Sequence, residues 1–169
     1  TFEDFVEGFE KIEGLFTFYK DNDKNKLYLA LSKNEIEKIY SFNMTRSSGD
    51  GQYYDGGSML WEFPFIFEHI ENNIRLVNIN TSFRADSNTP IYKAVKNNLS
   101  NSIIASTKIL SQPQKHSGNF IIEANALFLK DLTYASQRQQ GKYTFDKDNS
   151  YFKYIHSFPD NVELEISAH

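Results

Sequence analysis

The side chains able to do chemistry in this chain are few and scattered. Its histidines are His69, His116, His156 and His169, and their spacing forms neither the HExxH nor the HxH arrangement that gathers zinc ligands. His69 stands between Glu68 and Glu71, but on an extended strand only His69 and Glu71 share a face, and a zinc site needs at least three convergent ligands. The group reads as a solvated strand end. Asp21, Asp23 and Asn25 fall on the first odd positions of an EF-hand loop, yet Lys26 stands where that loop needs glycine and Ser32 where it needs a bidentate glutamate. An ordinary polar turn fits them better. The absence of cysteine excludes thiolate ligands, disulfides and a cysteine nucleophile. There is no Gly-x-Ser-x-Gly elbow, no histidine has an evident nucleophile partner, and Asp146 and Asp148 lie in a turn-rich loop. The expectation is a chain without catalytic residues, metal ligands or a cofactor of its own.

Binding chemistry is what remains. Residues 47–58 (SSGDGQYYDGGS) hold four of the eight glycines. They lack the GxxxxGK[ST] arrangement and precede no helix whose N-terminus could hold phosphate, so they read as a mobile loop that orders against a partner. Tyr53, Tyr54 and Trp61, aromatics with polar handles, are the candidate anchors for a peptide or glycan. Arg84 and Asp86, in the loop before Pro90, are candidates for docking a partner, although tying that loop to a helix start is the commoner use of such charges.

The element that must position these residues is the run at 58–80, SMLWEFPFIFEHIENNIRLVNIN. Trp61, Phe63, Phe65 and Phe67 alternate, so an extended strand puts all four on one face, which must be buried. Pro64 cannot donate to a ladder and argues for an edge or a bulge there. Glu71, Asn72 and Asn73 form a polar turn before Ile74, Leu76, Val77 and Ile79 resume the pattern, which predicts an antiparallel hairpin. Upstream, Phe2, Phe5, Phe9 and Ile12 have helical spacing up to Gly14. LFTFYK and KLYLAL flank the acidic turn as a second hairpin. Ser32 with Glu35 is a capping box for a helical turn, followed by a strand over 38–46. Downstream, Pro90 opens a helix whose apolar stripe is Ile91, Ala94, Val95 and Leu99. Strands follow at 102–110 and 120–122, with Asn125 as the cap of a short helix. Residues 137–148 read as a long turn or loose hairpin. Val162, Leu164 and Ile166 alternate as a last strand, whose partner is expected beyond the chain.

These elements make an α+β domain, mainly antiparallel sheet with a few short helices. The 169 residues suffice for one domain with a substantial core, divided at most by the 47–58 loop into a helix and hairpin over 1–46 and a main β-rich part over 59–169. With 22 acidic and 18 basic residues, a net charge of -4 and no basic block, nothing favours nucleic acid or an anionic membrane. No apolar run is long enough for a membrane span, and the chain opens at Thr1 without signal peptide or initiator methionine, which suggests a processed or excised segment.

Four strings in order, EGLFTFYKDNDKNKLYLAL, LVNINTSFRADSNTPIYKAVKNNLSNSIIAS, ALFLKDL and SYFKYIHSFPDNVELE, resemble successive segments of the non-catalytic N-terminal region of large bacterial zinc-dependent metalloproteases of metzincin type. That region is known mainly as domains of unknown function. The resemblance spans essentially the whole chain and rests on the shared order of the strings. It implies export from a bacterial cell behind a leader peptide, a catalytic domain of the same polypeptide as partner, and zinc held by an HExxHxxGxxH motif in that later domain. None of that motif occurs here, so no catalytic residue carries over.

Overall fold

The computed structural model describes residues 1–48, 55–138 and 144–169. Its elements are α1 (Phe2–Val6), β1 (Glu10–Ile12), β2 (Thr17–Asp21), β3 (Lys26–Leu31), β4 (Tyr40–Thr45), β5 (Met59–Ile70), β6 (Asn73–Asn78), α2 (Pro90–Asn98), β7 (Ser102–Lys108), β8 (Phe120–Glu123), α3 (Ala124–Phe128), α4 (Ala135–Arg138), β9 (Tyr151–Ser157) and β10 (Val162–Ser167). The strands form a sheet in the order β1-β2-β3-β8, a second in the order β4-β5-β6-β7, and the ribbon β9–β10. All of these ladders are antiparallel, so the class is α+β with mainly antiparallel sheet.

The alternation in β5 builds the core. Phe63, Phe65 and Phe67 are buried on one face, with Trp61 half-buried at its end. Across from them come Phe16, just before β2, then Phe18, Leu27, Leu29, Leu31, Phe120 and Ile122 of the first sheet and the α3 residues Leu127 and Phe128, in one apolar cluster. Phe16 meets Phe67 edge-on at 5.7 Å between ring centroids, the arrangement that the aromatic quadrupole favours. On the other face of the first sheet, α1 covers Tyr19, Ala30 and Ile121 with Phe2. The layers are therefore helix, sheet, core, sheet. The two β-hairpins follow the sequence pattern. Ile70 and Asn73 close the β5–β6 ladder around Glu71 and Asn72, with Glu71 at φ 54°. In the β2–β3 turn, the Asp21 carboxylate accepts the N–H groups of Asp23 and Lys24, which is turn chemistry.

Several elements differ from the sequence reading. The N-terminal helix stops at Val6, because Gly8 takes φ +81°, and residues 10–12 become the edge strand β1. Gly14 serves close approach: a Cβ there would lie 2.2 Å from the Ser157 carbonyl oxygen. At Ser32 the backbone N–H donates to Glu35 Oε2 at 2.6 Å, but only a turn forms, and the chain moves on to a bridge between Ile36 and Phe67. Asn125 caps nothing. It lies inside α3, buried, where Oδ1 accepts from Leu27 N–H at 2.7 Å and Nδ2 donates to the Asn25 carbonyl at 3.1 Å, tying α3 to the β2–β3 hairpin.

Pro64 takes an edge position within a strand that is otherwise an inner one, and it is not at a bulge. β5 lies between β4 and β6, and the β4–β5 irregularity falls between Met44↔Trp61 and Thr45↔Met59, where Leu60 is the extra residue. The proline is accommodated because the β6 ladder ends beside it, at Asn78. The last strand also finds its partner within the chain: β10 pairs β9 from Val162↔Ser157 to Ser167↔Tyr151. The hairpin is anchored where Leu15 N–H donates to the Phe158 carbonyl and Ser157 Oγ–H to that of Phe16. Finally, the apolar stripe of α2 faces no core. None of its residues is buried, and Ile91 is 62% exposed.

Candidate functional site

Of the five sequence candidates the structure describes Trp61, Arg84 and Asp86. Tyr53 and Tyr54 lie outside the described residues. Trp61 does not project as a free anchor. Its indole lies 4.6 Å from the Phe63 ring and 5.8 Å from Tyr134 between centroids, half-buried at the end of the core. Arg84 and Asp86 are both exposed, and no ion pair joins them. Asp86 acts on its own loop. Its carboxylate accepts Asn88 N–H at 3.0 Å and its carbonyl accepts Thr89 Oγ1–H at 2.7 Å, which fixes the entry to α2 one residue before Pro90 and makes Asp86 a loop-to-helix tie.

The structure brings a different set together. A cleft of about 320 Å³ opens at the end of the second sheet, lined by Trp61, Glu62 and Pro64 of β5 on one side and Asn78, Ser82 and Ser102 on the other. It exists because β6 leaves β5 early. Ile79 N–H still donates to the Pro64 carbonyl at 2.9 Å, and then Asn80 turns the chain away. The Asn80 backbone N–H donates to Asn101 Oδ1, its Nδ2 donates to the Leu99 carbonyl, and its Oδ1 accepts from Ser82 N–H. These bonds clamp the base of an excursion over residues 81–100 that carries α2 and exposes Phe83, Ile91, Tyr92 and Leu99. The polar residues between Asn78 and Ser102 read as loop in the sequence. Its one usable signal was Pro64 within an apolar strand, which announces a ladder that has to stop.

Several titratable groups elsewhere are tied into local structure. The Asn149 side chain and backbone hold the Asp146 carboxyl below its usual range. Lys153 and Ser47 both donate to Glu165, which lowers its carboxyl pKa, Lys153 first. The Ser47 bond sets the start of the glycine-rich segment against β10. His69 Nε2 lies 2.8 Å from the Glu71 carbonyl, and His156 stacks on Phe158 at 4.0 Å. Tyr40 stands apart: its hydroxyl is buried without a partner, and burial, then the Glu35 carboxylate, push its pKa up to about 12. Among the described residues, no three histidine or acidic side chains gather as a metal site would require, and no helix is long and apolar enough to cross a membrane.

A family model described as a domain of unknown function (DUF5117) matches residues 57–167. The chain belongs to this family. No curated protein and no solved structure matches it. The DUF5117 span opens just before β5 and contains both walls of the cleft. It does not contain both partners of every ladder. β5 takes β4 as a neighbour and β8 takes β3, so in this member of the family residues upstream of the matched span complete both large sheets.

Proposed function

We propose that this DUF5117 domain is a non-catalytic N-terminal accessory part of an exported bacterial zinc-dependent metalloprotease, where it docks to or regulates the catalytic domain or helps recognise substrate. Zinc belongs to the later catalytic domain in this reading, and the chain itself holds no cofactor. The observation that carries the reading is the ordered run of four sequence strings that resembles the N-terminal region of such proteases across the whole chain. The placement of surface supports it: the excursion over residues 81–100 leaves Phe83 and Ile91 more than half exposed, which suits a domain that meets a partner. The full-length coding sequence tests it. An HExxH motif downstream of His169 is the expected finding, and a stop codon shortly after that position would overturn the reading.

A free-standing module for a peptide or glycan is the second reading, and the cleft beside Glu62 favours it. As an anchor Trp61 fits less well, since it is packed against Phe63 and Tyr134. On either reading, zinc calorimetry on the isolated domain gives no stoichiometric binding, and a casein digest shows no chelator-sensitive cleavage.

A further inference from the structure

β5 has 12 residues and β6 has 6, so the first half of β5 has a strand on one side only. In an antiparallel ladder the N–H and C=O of a residue point to the same side, alternating along the strand. The Pro64 carbonyl points toward β6, where it accepts from Ile79; Glu62, two residues earlier, turns its N–H and C=O the same way. In a continued register Thr81 would receive them. Asn80 prevents this by its bonds to Asn101 and Leu99, and the cleft stands in its place. Among the described residues no strand lies beside the Glu62 edge.

We propose that this edge is a strand-addition site, in which an extended peptide with lysine or arginine opposite Glu62 pairs antiparallel with β5. The backbone edge gives the peptide its main-chain bonds, as in other strand-addition sites. The charge follows from the side chain: Glu62 is exposed and makes no ion pair among the described residues, and a residue directly opposite in an antiparallel pair shares its face. Asn78, Ser82 and Ser102, whose side chains have no hydrogen-bond partner among the described residues, line the opposite wall. A glycan fits this site less well, because the Trp61 ring is already packed against Phe63 and Tyr134. The inference goes beyond the accessory-domain reading and stands whether or not a protease follows.

The test is a titration of the isotope-labelled chain, followed by amide shifts, with a pool of acetylated pentapeptides that have lysine fixed at the centre. The pool should saturate shifts at Glu62, Asn78, Ser82 and Ser102. Methylating the lysine backbone nitrogen removes one ladder bond and should weaken binding by about tenfold. Glu62→Lys should weaken the lysine pool similarly and favour a pool with central glutamate. Because the methylated peptide leaves the protein unaltered, misfolding of the variant cannot imitate the result. Absent or non-saturating shifts, shifts confined to α2, equal affinity of the methylated pool, or indifference to the charge exchange would overturn the proposal.

Discussion

The two halves of β5 have the same alternation and opposite fates. From Phe65 to Ile70 the strand is paired with β6 residue by residue, from Phe65↔Asn78 to Ile70↔Asn73. From Met59 to Pro64 it keeps β4 on one side, and on the other it faces a cleft. The inward face continues through both halves, since Phe63 and Phe67 are each buried. Face and edge are thus decided separately: the aromatic alternation sets burial, while the clamp at Asn80 sets how much of the edge is covered. A strand buried by its side chains can still offer its backbone.

Truncation of the inward face tests the first part of this separation and should have the largest effect. Phe67→Ala and Phe63→Ala should each cost about 3–5 kcal/mol, the usual loss for a buried phenylalanine. Denaturant unfolding measures both. A loss below about 1 kcal/mol at Phe63 alone would mean that the half with the open edge is also loosely packed.

Tyr40, which pairs with Phe65 where the two halves meet, gives a smaller effect of opposite sign. Its hydroxyl is buried and unpartnered, so Tyr40→Phe should leave stability unchanged or raise it by up to about 1 kcal/mol. The pH dependence sharpens this. In the unfolded chain the phenol ionises near pH 10; in the fold burial defers ionisation to about 12. In that window the unfolded chain releases the proton first, so the native protein loses stability as pH rises. Thermal melts between about pH 9.5 and 11 should show a shallower decline for Tyr40→Phe.

The smallest effect belongs to the excursion. Ile91→Ser alters a side chain that is 62% exposed and should shift stability by no more than about 0.5 kcal/mol. A loss of several times that would show that α2 shelters part of the core.

Much of this arrangement was legible in the sequence. Period-two aromatics and the short polar turn gave β5, β6 and the buried face of Phe63, Phe65 and Phe67, because burial fixes the register of an alternating strand. Pro90 and the Ile91, Ala94, Val95, Leu99 spacing gave α2 and its apolar stripe; that the stripe stays exposed is not written in the spacing, since amphipathic periodicity says that a face is apolar and not what covers it. The N-terminal helix was overextended because the positive φ at Gly8 competes with helical spacing only through backbone conformation. Asn125 looked like a cap from its type and position; its actual bonds reach Leu27 and Asn25, about a hundred residues away. The cleft was illegible for the same reason. It depends on Asn80 meeting Leu99 and Asn101, a closure that no local pattern records.

Native-state amide hydrogen exchange tests the central claim most directly, by comparing Glu62 with Ile66 in the unliganded chain. Both N–H groups point to the same side of β5, where Ile66 stands opposite Val77 and Glu62 opposite the cleft. Ile66 should exchange only through a large-scale opening, and Glu62 at a rate near that of an unprotected amide. Equal, strong protection at the two positions would contradict the account, because it would mean that the edge of β5 is closed along its whole length.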